Sequence, residues 1–435
     1  MSRVFHRVLD RELPVAVRTE GAWVEDASGR RYLDGAGGAI VVNVGHGDPE
    51  LIRAAAEHLR HLDYVHGTMF TTEAVEAYAE EVAPLLPVPD ARIYPVSGGS
   101  EAVETALKLA RAYHLARGED RDVVLARRNS YHGNTLGALD ASGREPLRAP
   151  YRPWLGRARH VSAAYEYRCP NPAHPEGCAA FYARELERAI EEAGPGRVAA
   201  FIAEPISGAT LAAAVPCEDY WVRIAEVCRR HGVLLVADEV MTGFGRTGAW
   251  FAADRFGLRP DLLTAGKGAT SGYVPFGFCA ASGEVFEVVR AAGGFVHGFT
   301  WSHHGLGAAV GRAVLRRLRE GRLVERSREL GERVRKELAA ALADHPRVGD
   351  VRGSGLMIGI ELVRDRATKE PFRREERAAE RVLAAGREVG LLLYPSTGHV
   401  EGRGDLLLLG PPFVLSDEEA GLLVERTAAA LDAVR

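Results

Sequence analysis

Three charged side chains follow short apolar runs in the middle of the chain, where they could meet a ligand. Asp238 and Glu239 come directly after the run 233–237, and Lys267 stands between two glycines after the run 262–265. Such runs are typical of strands buried on both faces of a parallel sheet, whose ligands bind outside the carboxyl ends of the strands. We therefore predict an acid and an amine that face one site. The alternatives are a carboxylate that caps a helix and a solvated lysine.

A glycine turn between a predicted strand and a predicted helix could hold a phosphate group. Residues 92–96 read as the strand, Ser-Gly-Gly-Ser-Glu at 97–101 as the turn, and the residues up to about 117 as the helix. The first turn of a helix presents unpaired N–H groups and a partial positive charge, so Gly99 and Ser100 are placed to bind an anion. The spaced glycines of a dinucleotide fingerprint and the Gly-Lys-Ser/Thr of a P-loop are absent. A capped turn without a ligand is the alternative.

Two further predicted strands also end in side chains suited to a ligand. The apolar run 123–126 leads to Tyr131, His132 and a glycine, and the run 198–203 ends in Glu204 and a proline. An aromatic ring at a strand end can stack on a flat ligand, although a lone tyrosine more often packs against protein. Glu204 repeats the position of Asp238 at the end of a buried strand.

The elements that must position these residues alternate between strand and helix. Helices at 179–193 and 219–231 separate the apolar runs, and a further strand is predicted at 277–281. This alternation predicts a large α/β domain whose sheet is mostly parallel, with right-handed crossovers and flanking helices.

The regions on either side of the sheet have a different pattern. The predicted elements are a hairpin at 21–34, a glycine-rich turn at 35–47, helices at 49–62 and from Thr72, a helical region at 306–341 broken near Gly321, a strand and turn at 351–362, a helix at 374–389, a strand at 406–409 and a final helix from Ser416. We expect a smaller α+β domain at 321–435, a large domain at 61–320, and an N-terminal segment, 1–60, that joins the smaller domain.

Composition excludes several classes of protein. The net charge of −4 gives no basic field for nucleic acid, and no run approaches the roughly 20 apolar residues of a membrane helix. The start of the chain lacks the apolar core of a signal peptide, so we expect a soluble, cytoplasmic protein without nucleic-acid or membrane partners.

The cysteines favour reduced thiols. Five cysteines are an odd number, and a disulfide framework is not expected. Cys169 and Cys178 flank His174, but the spacing matches no common zinc pair and no fourth ligand is apparent. We interpret this stretch as a proline-rich loop with incidental thiols, and a partial zinc site is the alternative.

The motifs in their order resemble the class III aminotransferases, the ω-amino-acid branch of the fold type I pyridoxal-phosphate enzymes. The resemblance covers nearly the whole chain. It rests on an early Tyr-Leu-Asp-Gly and Gly-His, Ser-Gly-Gly-Ser-Glu-Ala, Tyr-His-Gly, Glu-Pro, Asp-Glu-Val before Gly-Phe-Gly-Arg-Thr-Gly, the lysine after Ala-Gly, and a late Pro-Pro. It implies an α/β fold of type I and a pyridoxal 5'-phosphate cofactor.

The resemblance implies a role for each residue around the cofactor ring. Lys267 would form the Schiff base, the aldimine, and move the proton as general base and acid. Asp238 would pair with the pyridine nitrogen. Val240 and Tyr131 would lie on the two ring faces, with His132 beside Tyr131.

The resemblance also implies a site shared between subunits. Gly99 and Ser100 would hold the phosphate, and Thr300 resembles the residue that completes this phosphate site from the neighbouring subunit. Glu204 would orient groups near the ring. A homodimer with shared active sites, or a tetramer made of such dimers, is therefore expected.

Positions at which this chain departs from the family narrow the range of expected substrates. Leu408 and Ala209 stand where the ornithine and 4-aminobutyrate branches carry an arginine and a switch glutamate, and both charges are absent together. Met241 stands where many members of the family carry a glutamine. Arg403, between two glycines in a loop, is the candidate for a mobile arginine that binds an acceptor carboxylate; a solvated arginine is the alternative. Ile40 replaces a tryptophan of some amine transaminases, so we expect an aliphatic pocket wall.

These features predict an aminotransferase that moves an amino group from an ω-amino acid or amine to a pyruvate-like keto acid. An aminomutase or a decarboxylating aminotransferase on the same scaffold is the alternative. A non-catalytic regulator would carry a DNA-binding segment or lack the lysine, and neither applies here. An NAD-dependent dehydrogenase would require a Gly-x-Gly-x-x-Gly after the first strand, which is absent.

Overall fold

The structure, a computed structural model, describes residues 3–9, 12–171, 173 and 176–435. Its strands form three sheets. The strands are β1 (Ala16–Glu20), β2 (Trp23–Asp26), β3 (Arg31–Asp34), β4 (Arg92–Val96), β5 (Val123–Arg127), β6 (Ala158–Val161), β7 (Val198–Ala203), β8 (Leu234–Asp238), β9 (Leu262–Ala265), β10 (Gly277–Ala281), β11 (Val348–Ser354), β12 (Met357–Asp365), β13 (Glu370–Pro371), β14 (Leu391–Leu392), β15 (Tyr394–Val400) and β16 (Arg403–Leu409).

Helices cover these sheets and connect their strands. They are α1 (Gly37–Ile40), α2 (Pro49–His61), α3 (Glu73–Val82), α4 (Gly99–Ala116), α5 (Leu136–Ala141), α6 (Glu145–Arg148), α7 (Cys178–Ala193), α8 (Tyr220–His231), α9 (Ala252–Arg255), α10 (Gly283–Ala291), α11 (Gly305–Glu320), α12 (Leu323–Ala341), α13 (Ala378–Glu388) and α14 (Asp417–Leu431). No helix of the described residues has the length and apolar character needed to cross a membrane.

The central sheet has seven strands in the order β4-β10-β9-β8-β7-β5-β6. Strands β9, β8, β7, β5 and β6 pair in parallel, and β10 runs antiparallel to β4 and β9. The predicted mostly parallel α/β sheet is therefore confirmed. Because parallel strands end at the same edge, the residues after β5, β7, β8 and β9 are brought together there.

Both faces of the central sheet are buried, as its unbroken apolar strands require. Phe201 and Leu235 face a core formed with α7 and α8. Their neighbours Ile202 and Val236 point the other way, into a core formed with α4. The period of two along each strand thus fixes which helix each side chain contacts.

Two smaller sheets lie outside the central sheet. One has the order β1-β2-β3-β14, and β14 pairs in parallel with β3, with Leu391 opposite Leu33. The other has the order β11-β12-β16-β15 and is antiparallel. The pairing of β3 with β14 joins the beginning of the chain to its C-terminal region.

Local signals in the sequence predicted most helix boundaries. Thr72 caps α3 by accepting a hydrogen bond from the N–H three residues on. Ser416 and Glu419 form a reciprocal capping box at α14, with distances of 3.1 and 2.8 Å. The helix predicted at 374–389 was too long, because Arg377 adopts a φ of 49° and α13 begins only at Ala378.

The expectation that all cysteines are reduced was wrong. Cys178 and Cys217 form a disulfide, while Cys169 and two other cysteines are free. The pair is 39 residues apart in sequence, and the packing of α7 against α8 brings its members together. Glu166 and the two paired cysteines place ligand atoms within 4.8 Å of one another, but paired sulfurs are not thiolates and do not bind zinc. His174, part of the alternative zinc site, lies outside the described residues.

Candidate functional site

Asp238 is held in one orientation at the end of β8. Its Oδ1 accepts hydrogen bonds from Thr264 Oγ1 and from the N–H of Val240, both at 3.1 Å. His132 Nδ1 lies 2.6 Å from Asp238 Oδ2. Because an ionised carboxylate can only accept, Nδ1 carries the proton in this pair. Asp238 is 3% exposed, so three donors support a carboxylate that is almost excluded from water.

Lys267 is an amine within electrostatic reach of this carboxylate. It follows β9 with a φ of 44° and is flanked by Gly266 and Gly268. Burial lowers the pKa of Lys267 from 10.5 to about 8, against the opposing charges of Asp238 and Glu204. A lysine with a pKa near 8 is partly neutral at physiological pH and can act as a nucleophile or a base.

Lys267 also differs from every other lysine in the chain. The sequence contains only Lys108, Lys267, Lys336 and Lys369. The three others are exposed, whereas Lys267 is largely enclosed between the ends of the strands. Among the lysines, the structure therefore offers only Lys267 as a reactive amine in a protein-lined site.

The N-terminus of α4 fits a phosphate group. Gly98 precedes this helix, whose first turn has no side-chain cap, so its N–H groups keep donor capacity. A Cβ built on Gly98 would meet no atom within 4 Å, which leaves open space in front of the helix. A Cβ on Gly99 would lie 2.7 Å from the side chain of Val240. Ser97 Oγ is buried without a hydrogen-bond partner among the described residues. These features suit a bound anion.

Ser100 and Thr300, the other predicted phosphate ligands, are in different surroundings. Ser100 Oγ accepts a hydrogen bond from Asn134 N at 3.1 Å. Thr300 is exposed between α10 and α11, and its carbonyl accepts from the hydroxyl of Tyr64. Within the described part of this single chain, no hydrogen bond joins Thr300 to the start of α4.

Glu204 is a buried carboxyl group with one unsatisfied oxygen. Its Oε1 accepts from Gly208 N at 2.9 Å, while Oε2 has no partner among the described residues. Burial raises the pKa of Glu204, and the imidazole of His132 opposes this shift. A buried polar atom without a partner is costly, so a donor from a ligand would stabilise this site.

Glu239, the acid next to Asp238 in sequence, stabilises a helix and does not face the site. Its carboxylate accepts from the N–H groups of Ala252 and Ala253 at 3.0 and 2.7 Å and from the hydroxyl of Thr242. Glu239 therefore caps α9. For this acid, the alternative of a carboxylate that caps a helix is the correct one. Burial raises the pKa of Glu239 to about 7, and these hydrogen bonds oppose the shift.

Tyr131 lies beside the site and is partly buried. Burial raises the pKa of its hydroxyl, and the charges that act on it include those of Tyr394, Arg7, Arg144 and Asp238. Tyr131 is therefore within electrostatic reach of the Asp238 carboxylate. The stacking of Tyr131 on the cofactor ring stays a prediction.

The positions at which this chain departs from its relatives form one apolar wall. Ile40, Ala209, Met241 and Leu408 belong to a single buried cluster, and Tyr394 packs against it. Ile40 takes a φ of 59° in the kinked helix α1. Three of the residues predicted to set selectivity, Ile40, Ala209 and Leu408, are thus neighbours although they are distant in sequence, whereas the fourth, Arg403, is not part of this cluster.

Arg403 was expected in a loop, but the structure places it in a strand. It is the first residue of β16, pairs with Val400 across the hairpin turn and is exposed. Leu408 lies five positions further along the same strand, which is about 17 Å in an extended chain. No hydrogen bond or ion pair within the described residues holds the Arg403 side chain near the apolar wall.

Sequence reasoning gave no role to two residues that support the site. Arg246, in the Gly-Phe-Gly-Arg-Thr-Gly motif, is fully buried and donates to the carbonyls of Val42, Leu356 and Pro411 at 2.6 to 3.0 Å. Asn43 Nδ2 donates to the carbonyl of Gly268, directly after the lysine, at 3.1 Å. The glycines around both residues were visible, but their hydrogen-bond partners lie far away in sequence.

Comparison with known proteins agrees with this geometry. The family model for aminotransferase class-III matches residues 7–431. An (S)-enantioselective ω-transaminase from Thermomicrobium roseum superposes with a TM-score of 0.93 and 38% identity, covering 99% of this chain and 96% of that one. An amine transaminase from an uncultivated Pseudomonas species, solved with bound pyridoxal phosphate, has a TM-score of 0.93 and 33% identity over 99% of both chains.

A curated relative extends the comparison. The putrescine–pyruvate aminotransferase of Pseudomonas aeruginosa is 33% identical over 96% of this chain and 90% of that enzyme. The match extends over nearly the full length of both proteins, and the enclosed lysine, the supported aspartate and the uncapped helix suit the cofactor that the Pseudomonas structure contains. The chain belongs to the class III aminotransferases, which are pyridoxal-phosphate-dependent enzymes of fold type I.

Proposed function

We propose that this aminotransferase moves an amino group from an amine or ω-amino acid to a pyruvate-like keto acid, with Lys267 as the residue that carries the cofactor. The observation that supports this role most directly is that Lys267 is the only lysine not exposed and has a pKa of about 8. Its charge is coupled to Asp238, which stands at the end of the neighbouring strand.

Each residue of the site has a defined task in this proposal. The bound cofactor supplies an electron sink for the substrate carbon. Lys267 Nζ attaches the cofactor and, when free, takes a proton from the substrate carbon and returns one. Asp238 keeps a proton on the cofactor ring nitrogen. His132 and Thr264 orient the Asp238 carboxylate by the hydrogen bonds described above.

The remaining predicted contacts complete the cofactor site. The N–H groups of Gly99 and Ser100 would hold the phosphate at the start of α4, and Val240 and Tyr131 would contact the ring. Glu204 accepts a hydrogen bond through its unsatisfied oxygen. Thr300 is exposed, and no hydrogen bond among the residues that the structure describes joins it to Gly99 or Ser100, as expected if it acts in a partner subunit. We therefore also propose a homodimer with shared active sites.

The substrate proposal depends on the apolar wall. Leu408 and Ala209 are buried in one cluster and offer no charge to a distal carboxylate. An uncharged amine or a diamine therefore fits this wall better than an acidic side chain does. The similarity to a putrescine–pyruvate aminotransferase favours a small keto acid as the acceptor.

Product analysis tests the proposed reaction. The purified, cofactor-loaded protein is incubated with pyruvate and a panel of donors: β-alanine, 4-aminobutyrate, ornithine, taurine, diamines and arylalkylamines. We expect alanine to form in equal amounts with the carbonyl product of at least one donor. An aminomutase would give an isomer without pyruvate, and a decarboxylating enzyme would release CO2. Either outcome, or the absence of alanine with every donor, would refute the proposal.

A pair of lysine variants gives the matched control. Lys267→Ala should lose activity by several orders of magnitude, because no other amine can replace Lys267 Nζ in the site. Lys369→Ala, at an exposed position, should keep wild-type activity.

A further inference from the structure

Arg144 lies directly beside the segment that carries Tyr131. The preceding residue, Gly143, forms two backbone hydrogen bonds with this segment. The Gly143 carbonyl accepts from Asn129 N at 3.0 Å, and the Gly143 N–H donates to the Ser130 carbonyl at 3.1 Å. Two backbone hydrogen bonds thus fix the chain on the N-terminal side of Arg144. The position of Arg144 next to Tyr131 is therefore determined by the backbone and does not depend on a mobile loop.

Among the side chains that the structure describes, no acid pairs with the guanidinium group of Arg144. It is partly buried, and within the described residues it makes no side-chain hydrogen bond and no ion pair. Burial lowers its pKa, and the titratable groups that act on its charge are the hydroxyls of Tyr394 and Tyr131. A partly buried cation without a counter-charge is unfavourable unless a ligand supplies one.

Three other arginines that are fully or partly buried do have partners. Arg246 donates to three backbone carbonyls. Arg352 pairs with the carboxylates of Asp350 and Glu361 at 2.9 and 3.0 Å. Arg148, four residues after Arg144, donates to backbone carbonyls around α5. These arginines are held by protein groups, whereas Arg144 has no such side-chain partner in the described part of the chain, so its position suits an anionic ligand.

Both tyrosines near Arg144 belong to the lining of the site. Tyr131 is within electrostatic reach of Asp238. Tyr394 pairs with Leu408 across β15 and β16 and packs against the apolar cluster that contains Ile40. Arg144 is therefore adjacent to two walls of the pocket in which a substrate would lie. The exposed Arg403, by contrast, stands at the far end of β16.

We propose that Arg144 binds the carboxylate of the small keto-acid acceptor and of the amino acid formed from it. The hydroxyls of Tyr131 and Tyr394 supply further donors, and the exposed Arg7 adds positive charge near Tyr131. Arg144, rather than Arg403, then selects acceptors with a carboxylate next to the keto group. This inference rests on the proposed function and specifies which residue recognises its acceptor.

Separate half-reactions test this assignment. The cofactor-loaded enzyme is mixed with 1-phenylethylamine, which has no carboxylate, and the aminated enzyme is then mixed with pyruvate; both steps are followed by cofactor absorbance. Arg144→Gln should raise the pyruvate concentration for half-maximal rate by about 10- to 150-fold, the effect of losing one charge-assisted hydrogen-bonded pair. The amine step should change less than about twofold. Arg403→Gln removes the rival candidate for the same role, and it should leave both steps unchanged if Arg144 is the residue that binds pyruvate.

Inhibition by propanoate gives a readout that does not depend on turnover of the acceptor. Propanoate should compete with the amine in the wild type, and its inhibition constant should rise in Arg144→Gln by a factor similar to that for pyruvate. Arg144→Lys keeps the charge and should recover part of the loss in both measurements.

Three results would overturn the inference. The first is an unchanged pyruvate dependence in Arg144→Gln, and the second is a strong effect on the pyruvate step in Arg403→Gln. The third is equal weakening of the amine and pyruvate steps in both Arg144 variants, which would indicate a general structural role. Failure of the proposed function has a different signature, because the wild type itself would then convert neither the amine nor pyruvate.

Discussion

The lowered pKa of Lys267 predicts how quickly the cofactor-free enzyme takes up pyridoxal phosphate at each pH. Only the neutral amine can attack the aldehyde. A drop in pKa from 10.5 to about 8 raises the neutral fraction at pH 7 by about 300-fold. The uptake rate should therefore increase with pH up to about 8 and become constant above it.

Stopped-flow absorbance between pH 6 and pH 10 measures this profile on protein freed of cofactor. Asp238 and Glu204 both raise the pKa of Lys267, so Asp238→Asn and Glu204→Gln should each move the break in the profile to lower pH. A rate that keeps rising tenfold per pH unit through pH 9.5 would refute the reasoning. An unmoved break in both variants would show that these carboxylates do not act on the lysine.

Three further predictions concern the parts that support the site. Gly99→Ala should weaken cofactor binding at least tenfold in a fluorescence titration, because the new Cβ would lie 2.7 Å from a valine side chain; Gly421→Ala, with open space around it, should not. Glu361→Gln should lower the free energy of unfolding by about 3–5 kcal/mol in urea, because two arginines then lose their buried partner. Thiol titration in denaturant should find three cysteines without reductant and five with it, since Cys178 and Cys217 are paired; five without reductant would contradict the pairing.

The Glu361 prediction also has a pH dependence. Burial alone would raise the pKa of this carboxyl, but the hydrogen bond and charge of His399 and the charges of Arg352 and Arg168 lower it well below its usual range. The stability that it contributes is therefore present above a pH of about 4.5 and is lost as the pH falls through the folded-state pKa. Wild type and Glu361→Gln should converge in stability at low pH; a constant difference down to pH 3 would refute this account.

The sequence was most informative where structure depends on local patterns. The alternation of apolar runs and helices predicted the central sheet, and single cap residues such as Thr72 and Ser416 predicted helix starts. The motifs in their order, from Ser-Gly-Gly-Ser-Glu-Ala to the lysine after Ala-Gly and the late Pro-Pro, predicted the family, because each of them is a local feature of the sequence.

The features that sequence could not provide depend on contacts between distant residues. His132 meets Asp238 across 106 positions, and Cys178 meets Cys217 across 39. Both pairs form only because the sheet and the packing of its helices bring separate segments together. The position of Arg144 beside Tyr131 likewise has no local signal in the sequence, because it depends on the hydrogen bonds that Gly143 makes with Asn129 and Ser130.

The central claim is that Lys267 carries the cofactor, and a covalent label tests it most directly. Borohydride reduction of the yellow, cofactor-loaded enzyme makes the link permanent, and peptide mass spectrometry then locates it. With only four lysines in the chain, three of them exposed, the assignment has few alternatives. We predict a pyridoxyl label on Lys267 alone. A label on Lys108, Lys336 or Lys369, or a protein that stays colourless with added cofactor, would contradict the account.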